Sequence, residues 1–452
     1  MKKKLVSLLL VCVMAMMSLV GCGTKTPTVA KQTAENQGKV VNIYCWNTEF
    51  KDRFEYFKKT NKLASDIEVK FIVTPSANNA YQNALDAALL KQETAAADDK
   101  IDIFLVEADY ALKYVNSDYS IDVINDVGLS KEDLANQYQY TKDIVTNTAG
   151  VQKGVTWQAT PGLFAYRRSI AKEVIGTDDP IKVQAALSSW NAFNTVAKTA
   201  SDKGYKMLSG YDDSYRTFSN NVKAPWVDKD NKINVDANLI SWVDQTKTFT
   251  DKGYNNKTSL WDATWAKDQG PTGKVFGFFY STWGINFTLL GNSLATPTAE
   301  GGKEVVGNGI YGDYAVCAGP QSYYWGGTWI CAAKGTDNLP AIKDIMYTMT
   351  CDSTTLKAIT TETQDYTNNV AAMNEIAASS FKSDFLGGQN HIKLFAEVAP
   401  KIDMSMISSY DQGLNEEFQK AFKDYFDGNV DKNKALENFY KAAIEKYPNL
   451  KQ

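Results

Sequence analysis

The sequence predicts an α/β protein whose first part is built on a doubly wound parallel sheet, and three observations predict it. Between residues 40 and 109, strand-like runs alternate with amphipathic helical patterns in the order β-α-β-α-β. The third run, "IDIFLVEAD" (Ile101 to Asp109), is apolar until it ends in carboxylates, as a strand covered on both faces would be. The pattern then restarts near residue 150, in a chain of 452 residues that is long enough for two or three domains.

Taken in order, Val40 to Cys45 forms a short β-branched strand. The helix that follows places Phe50, Phe54 and Phe57 on one face. "IEVKFIV" (Ile67 to Val73) is a second strand, and Ala80 to Leu90 a second amphipathic helix. After "GVTWQATPGLFAYRR", helices predominate. "WVDKDNKINVD" has the alternating carboxylates of a calcium loop, but Lys232 and Ile233 stand where an oxygen ligand and a glycine are needed. A β-turn followed by a helix cap at Asp236 accounts for it better. "YAVCAGP" and "WICAAK" are late apolar strands. Two closing helices carry Leu414, Phe418, Phe422 and Tyr425, then Leu436, Phe439, Ala443 and Tyr447, on their apolar faces.

Composition excludes several function classes. The formal net charge of -4 comes with no dominant basic patch, which argues against nucleic acid as a partner. The only histidine, His391, removes His-based zinc sites and is read as structural. Aromatics stand out, with 10 Trp, 24 Tyr and 20 Phe, many in polar company. Of six cysteines, Cys45, Cys317, Cys331 and Cys351 fall in the folded part without CxxC spacing and are expected to be free thiols.

Lys2 to Lys4 followed by the apolar run Leu5 to Val20 form a secretory leader, residues 1–21. Its end, "LVGC", resembles the lipobox of bacterial lipoproteins. That resemblance implies cleavage before Cys22 and diacylglyceryl attachment there, with the lipid as the only link to the membrane. Residues 22–38 are too polar to bury surface and read as a flexible tether.

The order of the remaining parts resembles an extracellular solute-binding protein of an ABC importer, in the extended maltodextrin-binding family. The segments that carry the likeness are "VNIYCWNTEF", "DIFLVEADYALKYV", "GVTWQATPGLFAYRRSI", "GKVFGFFYSTWGINF" and "WGGTWICAAKGTDN". The resemblance implies the type II periplasmic-binding-protein fold. Two lobes with doubly wound sheets are joined by a hinge of three crossing segments, and the ligand sits between them. One lobe is expected from 39–152 completed by 318–334, the other from 156–312 completed by 338–452. It further implies a monomer on the outer face of the cell membrane that hands an oligosaccharide to permease subunits, with no cofactor or metal.

A sugar presents hydroxyls, for which charged acceptors make the stronger hydrogen bonds, and apolar C–H faces, which aromatic rings cover. Covering about 100 Å² of such surface contributes roughly 2–3 kcal/mol. In open α/β sheets the ligand lies beyond the C-terminal strand ends. That rule selects Trp46, Asn47 and Glu49 after the first strand, although Trp46 could equally be core and Glu49 a helix-start residue. It selects Glu107, Asp109 and Tyr110 after the third, and Trp157 leads to Gln158 and Thr160 on the return strand. "SGYDDSYRTFSNN" offers Asp212, Tyr215 and Arg216 in a run too polar for a core.

By the resemblance, Asp109 falls where carbohydrate-binding relatives carry a ligand carboxylate, and Trp283 where they stack an aromatic on sugar. Trp325 beside Gly326 and Gly327 is a second platform or a packed hinge residue. Tyr410 and Asp411 fall near late cleft contacts; Asn415 stands where maltodextrin binders have an aromatic, which weakens maltodextrin as the particular ligand. The rival readings are the same fold binding a peptide or polyamine, and a glycoside-active enzyme. The enzyme would need paired carboxylates about 5–9.5 Å apart and shows no catalytic signature; binding without catalysis is expected.

Overall fold

The computed structural model describes residues 38–452. The leader, Cys22 and all but the last residue of the tether lie outside the described residues.

Among the described residues, eight strands form two sheets. In the first, β1 (Val40–Cys45) runs parallel to β2 (Glu68–Val73) and to β3 (Ile103–Glu107). β8 (Thr328–Ala332) then adds antiparallel to β3, and β4 (Val155–Thr156) lies beyond it, giving the order β2-β1-β3-β8-β4. Ile103 and Leu105 pack on one face of this sheet while Phe104 and Val106 pack on the other, so the strand reads as continuously apolar. Phe50, Phe54 and Phe57 of the helix Glu49–Lys58 are all buried against the first face, as their spacing predicts.

The second sheet is β6-β5-β7, with β5 (Gly162–Arg167) antiparallel to both β6 (Gly277–Ser281) and β7 (Tyr314–Cys317). A separate aromatic core holds the closing helices Asp411–Phe426 and Lys432–Lys446 against the helix Ala237–Asp251, through Trp226, Trp242, Phe418, Phe422 and Phe439. Asp236 caps that helix by accepting from the Asn238 N–H at 2.8 Å, as the turn-and-cap reading of that segment predicts.

Two expected boundaries differ. The helices Leu339–Thr350 and Ser353–Thr363 bury Ile342, Ile345, Met349, Leu356 and Ile359 in the core of the first sheet, beside Phe50 and Phe54. They therefore belong with the first lobe rather than with 338–452. β7 likewise extends the second lobe past residue 312, because it hydrogen-bonds along β5.

The chain passes between the lobes three times, through 157–161, 318–327 and 364–369. The three passages are hydrogen-bonded to one another. Ala159 N donates to Tyr366 O at 3.2 Å and Asn368 N to Trp157 O at 2.7 Å, while Gly162 N donates to Tyr323 O at 2.7 Å. His391 is buried, contacts Gln364 O through Nε2 at 2.9 Å, and burial holds its pKa down at about 4. It is a structural histidine. No helix among the described residues is long and apolar enough to cross a membrane.

Candidate functional site

A cavity of about 660 Å³ lies between the lobes against the crossing segments, within the size range of small-molecule sites. The first lobe contributes the loop after β1 and the end of β3; the second contributes the turn after β6. Seven of the sequence-selected residues line it: Trp46, Asn47, Glu49, Glu107, Gln158, Trp283 and Trp325.

Trp46 is half-buried and presents its ring edge-on to Tyr81 and Tyr110, at centroid distances of 5.6 and 6.4 Å. Tyr110 is thereby a supporting residue, only 9% exposed within the core. Asn47 Oδ1 accepts from the Glu49 N–H at 3.0 Å, which fixes the turn into the helix. Opposite, Trp283 follows β6 and donates its indole N–H to Trp325 O at 2.9 Å. Trp283 stacks on Trp261 with centroids 6.2 Å apart and planes at 15°, and it meets Trp325 edge-on at 5.5 Å. Phe287 and Trp261, 77% and 56% exposed, extend this aromatic wall outward. Gly326 has φ +68°, and an added Cβ would stand 3.0 Å from Trp283 Nε1, so glycine is what lets the second crossing segment approach the indole.

The polar wall is a chain of hydrogen bonds across all three parts of the protein. Gln158 Nε2 donates to Glu49 Oε1 at 2.8 Å and to Asp365 Oδ2 at 3.0 Å, and the Thr282 hydroxyl donates to Asp365 Oδ1. Burial, with Asp365 close by, raises the Glu49 carboxyl to about 7 despite Arg53. Glu107 accepts from the Asp109 N–H at 2.8 Å, and burial followed by the Asp109 charge pushes its pKa upward.

The other selected residues do not line this cavity. Thr160 is buried with its hydroxyl on Gly326 O at 3.0 Å. Asp109 is engaged by Arg216 through both oxygens, at 2.6 and 2.5 Å. Asp212 accepts from the Leu260 N–H at 3.1 Å. Tyr215 is buried, with its hydroxyl on Asn415 Oδ1 and its ring edge-on to Trp242 at 4.8 Å. Tyr410 packs edge-on with Tyr447 and accepts from Asn449 Nδ2 at 2.8 Å; Asp411 accepts from the Ser408 N–H at 3.1 Å. Each has its polar atoms satisfied elsewhere. Sequence reasoning missed Asp365, Thr282, Asn286 and Phe287. The last three follow the strand that flagged Trp283, so the strand-end rule could have found them. Asp365 sits on a crossing segment with no pattern to mark it.

Residues 53–385 match the family model described as bacterial extracellular solute-binding protein, and the chain belongs to that family. Among solved structures it resembles an extracellular solute-binding protein of family 1 (TM-score 0.73, 15% identity, 90% of this chain and 99% of that one). It also resembles the ABC-transporter-associated binding protein of B. animalis subsp. lactis Bl-04 in complex with beta-1,6-galactobiose (TM-score 0.66, 15% identity, 91% and 99%). A third is the galacto-N-biose-/lacto-N-biose I-binding protein of the ABC transporter from Bifidobacterium longum in complex with lacto-N-biose (TM-score 0.66, 14% identity, 91% and 97%). At such identity these likenesses establish the two-lobed solute-binding fold. No curated protein matches the chain in sequence.

Proposed function

We propose that this protein is a lipid-anchored extracellular receptor that binds an oligosaccharide between its lobes and delivers it to an ABC-transporter permease. The observation that carries the reading is the pairing of walls: Trp283, Trp325 and Trp46 offer ring surface, and Glu49, Glu107, Gln158 and Asp365 offer acceptor oxygens across the same cavity. Aromatic faces suit the C–H surfaces of a pyranose, and carboxylates suit its hydroxyls. The carbohydrates named for the galactobiose- and lacto-N-biose-binding neighbours point the same way. In this reading Cys22 carries the lipid, and the tether keeps the domain at high effective concentration beside its permease.

The test is a thermal-shift screen of the mature chain carrying Cys22→Ser, against neutral mono- and oligosaccharides, amino acids, peptides and polyamines. A compound that binds only the folded state at 100 times its Kd adds about 2.7 kcal/mol. A saturable shift from one oligosaccharide class, recovered unhydrolysed, is the expected result. A shift from a peptide or polyamine alone would overturn the carbohydrate assignment, and hydrolysis would overturn the receptor assignment.

A further inference from the structure

Asp109 and Arg216 come from different lobes. Asp109 sits in the turn Ala108–Tyr110 that follows β3; Arg216 is on the helix Tyr215–Ser219 of the second lobe. Their contact is bidentate, and their side chains are only 20% and 22% exposed. A planar guanidinium fitted to both carboxylate oxygens is the strongest ion-pair geometry available to side chains. Asp109 is further fixed because its own N–H is bonded to Glu107. A second polar contact joins the lobes nearby, where Gln82 Nε2 meets Gln412 Oε1 at 3.4 Å.

The pair lines the smaller of two neighbouring spaces. The larger is the cavity lined by Glu107 and Trp325. The smaller is a residual space of about 20 Å³, lined by Asp109, Arg216, Tyr324 and Asp411 and wide enough for little more than one water. Glu107 and Asp109 are two residues apart and Tyr324 and Trp325 adjacent, so the division runs through a strand end and a crossing segment.

We infer that Asp109 and Arg216 form an interlobe clasp that divides the cleft and ends the ligand chamber at Glu107. The pair spans the cleft at this point, so it holds this end of the lobes together. It also limits ligand length, because a longer chain would have to part a buried ion pair before passing Glu107. The length limit rests on the carbohydrate reading above; the clasp does not.

The experiment compares the mature Cys22→Ser chain with the same chain carrying Asp109→Asn and Arg216→Gln together, which removes both charges and leaves neither orphaned. Arg216→Lys, which keeps the charge and loses the fork, serves if the double variant melts early. Small-angle scattering without ligand is expected to show a larger radius of gyration in the variant; equal radii in the wild type and both variants would overturn the clasp. Binding is then measured for gluco-, galacto- and xylo-oligosaccharide ladders from disaccharide to heptasaccharide. The ratio of affinities for the longer over the shorter members is expected to rise about tenfold in the variant. An unchanged ratio would overturn the length limit, and a loss of the short members in the variant would make the pair a direct ligand contact instead. Binding of no ladder member by either chain would count against the carbohydrate reading while scattering still decides the clasp.

Discussion

Trp283 shows how one side chain is committed by its neighbours. Its indole N–H is spent on Trp325 O and its edge rests over Gly326, which leaves ring surface for the cavity. Trp283→Ala should weaken binding of whichever panel sugar is recognised at least tenfold, about 1.4 kcal/mol or more. Trp283→Phe should recover part of that loss; calorimetric titration distinguishes them, and full affinity in the alanine variant would remove Trp283 from the site. Glu49 gives a pH signature. Its carboxyl titrates near 7 when folded and near 4.5 when unfolded, so the folded state holds the extra proton between those values and loses stability as pH rises. Glu49→Gln should therefore melt with the wild type below pH 4.5. Its melting temperature should then gain on the wild type up to pH 7 and keep that advantage above, which a pH series of thermal melts reads directly. At this scale the sequence indicated which residues follow strands, and Trp46, Glu49, Glu107 and Trp283 are where that rule puts them. It could not indicate that Arg216 would occupy Asp109, since the two meet across the lobes through chain geometry that no local spacing records.

Among elements, β5 shows the tightest fit. It begins at Gly162, where an added Cβ would stand 2.1 Å from the ring of Tyr323. Tyr323 cannot swing aside without losing its hydroxyl bonds to Leu163 O and Tyr280 O, both at 3.0 Å. Gly162→Ala should cost at least about 1–3 kcal/mol by overpacking, measured by urea unfolding; a neutral result would mean that the crossing segment yields. Helices and strands with clear periods were legible: the phenylalanine stripe of Glu49–Lys58 and the closing pair 411–446 lie where their patterns require. The lobe to which 339–363 belongs was not, because the apolar stripe of an amphipathic helix says that it packs and not on which sheet.

At the scale of the whole molecule, the four cysteines of the described residues are free, three of them buried. Burial raises Cys45 and Cys351 to about 11 and Cys317 and Cys331 to about 12. A thiol reagent at pH 8 should find at most Cys351 quickly in the native Cys22→Ser chain and all four in denaturant, with melting unchanged by reductant. A shift of melting on reduction would reveal a disulfide.

The placement of β8 has a kinetic consequence. It is the strand between β3 and β4, yet Ala332 reaches Ile103 only after the whole second sheet has been traversed. Until those last residues arrive, β3 presents a bare edge, and the first lobe waits on contacts of long sequence separation that slow folding. An emerging chain would thus carry its first-made lobe unfinished until residues 328–363 are made.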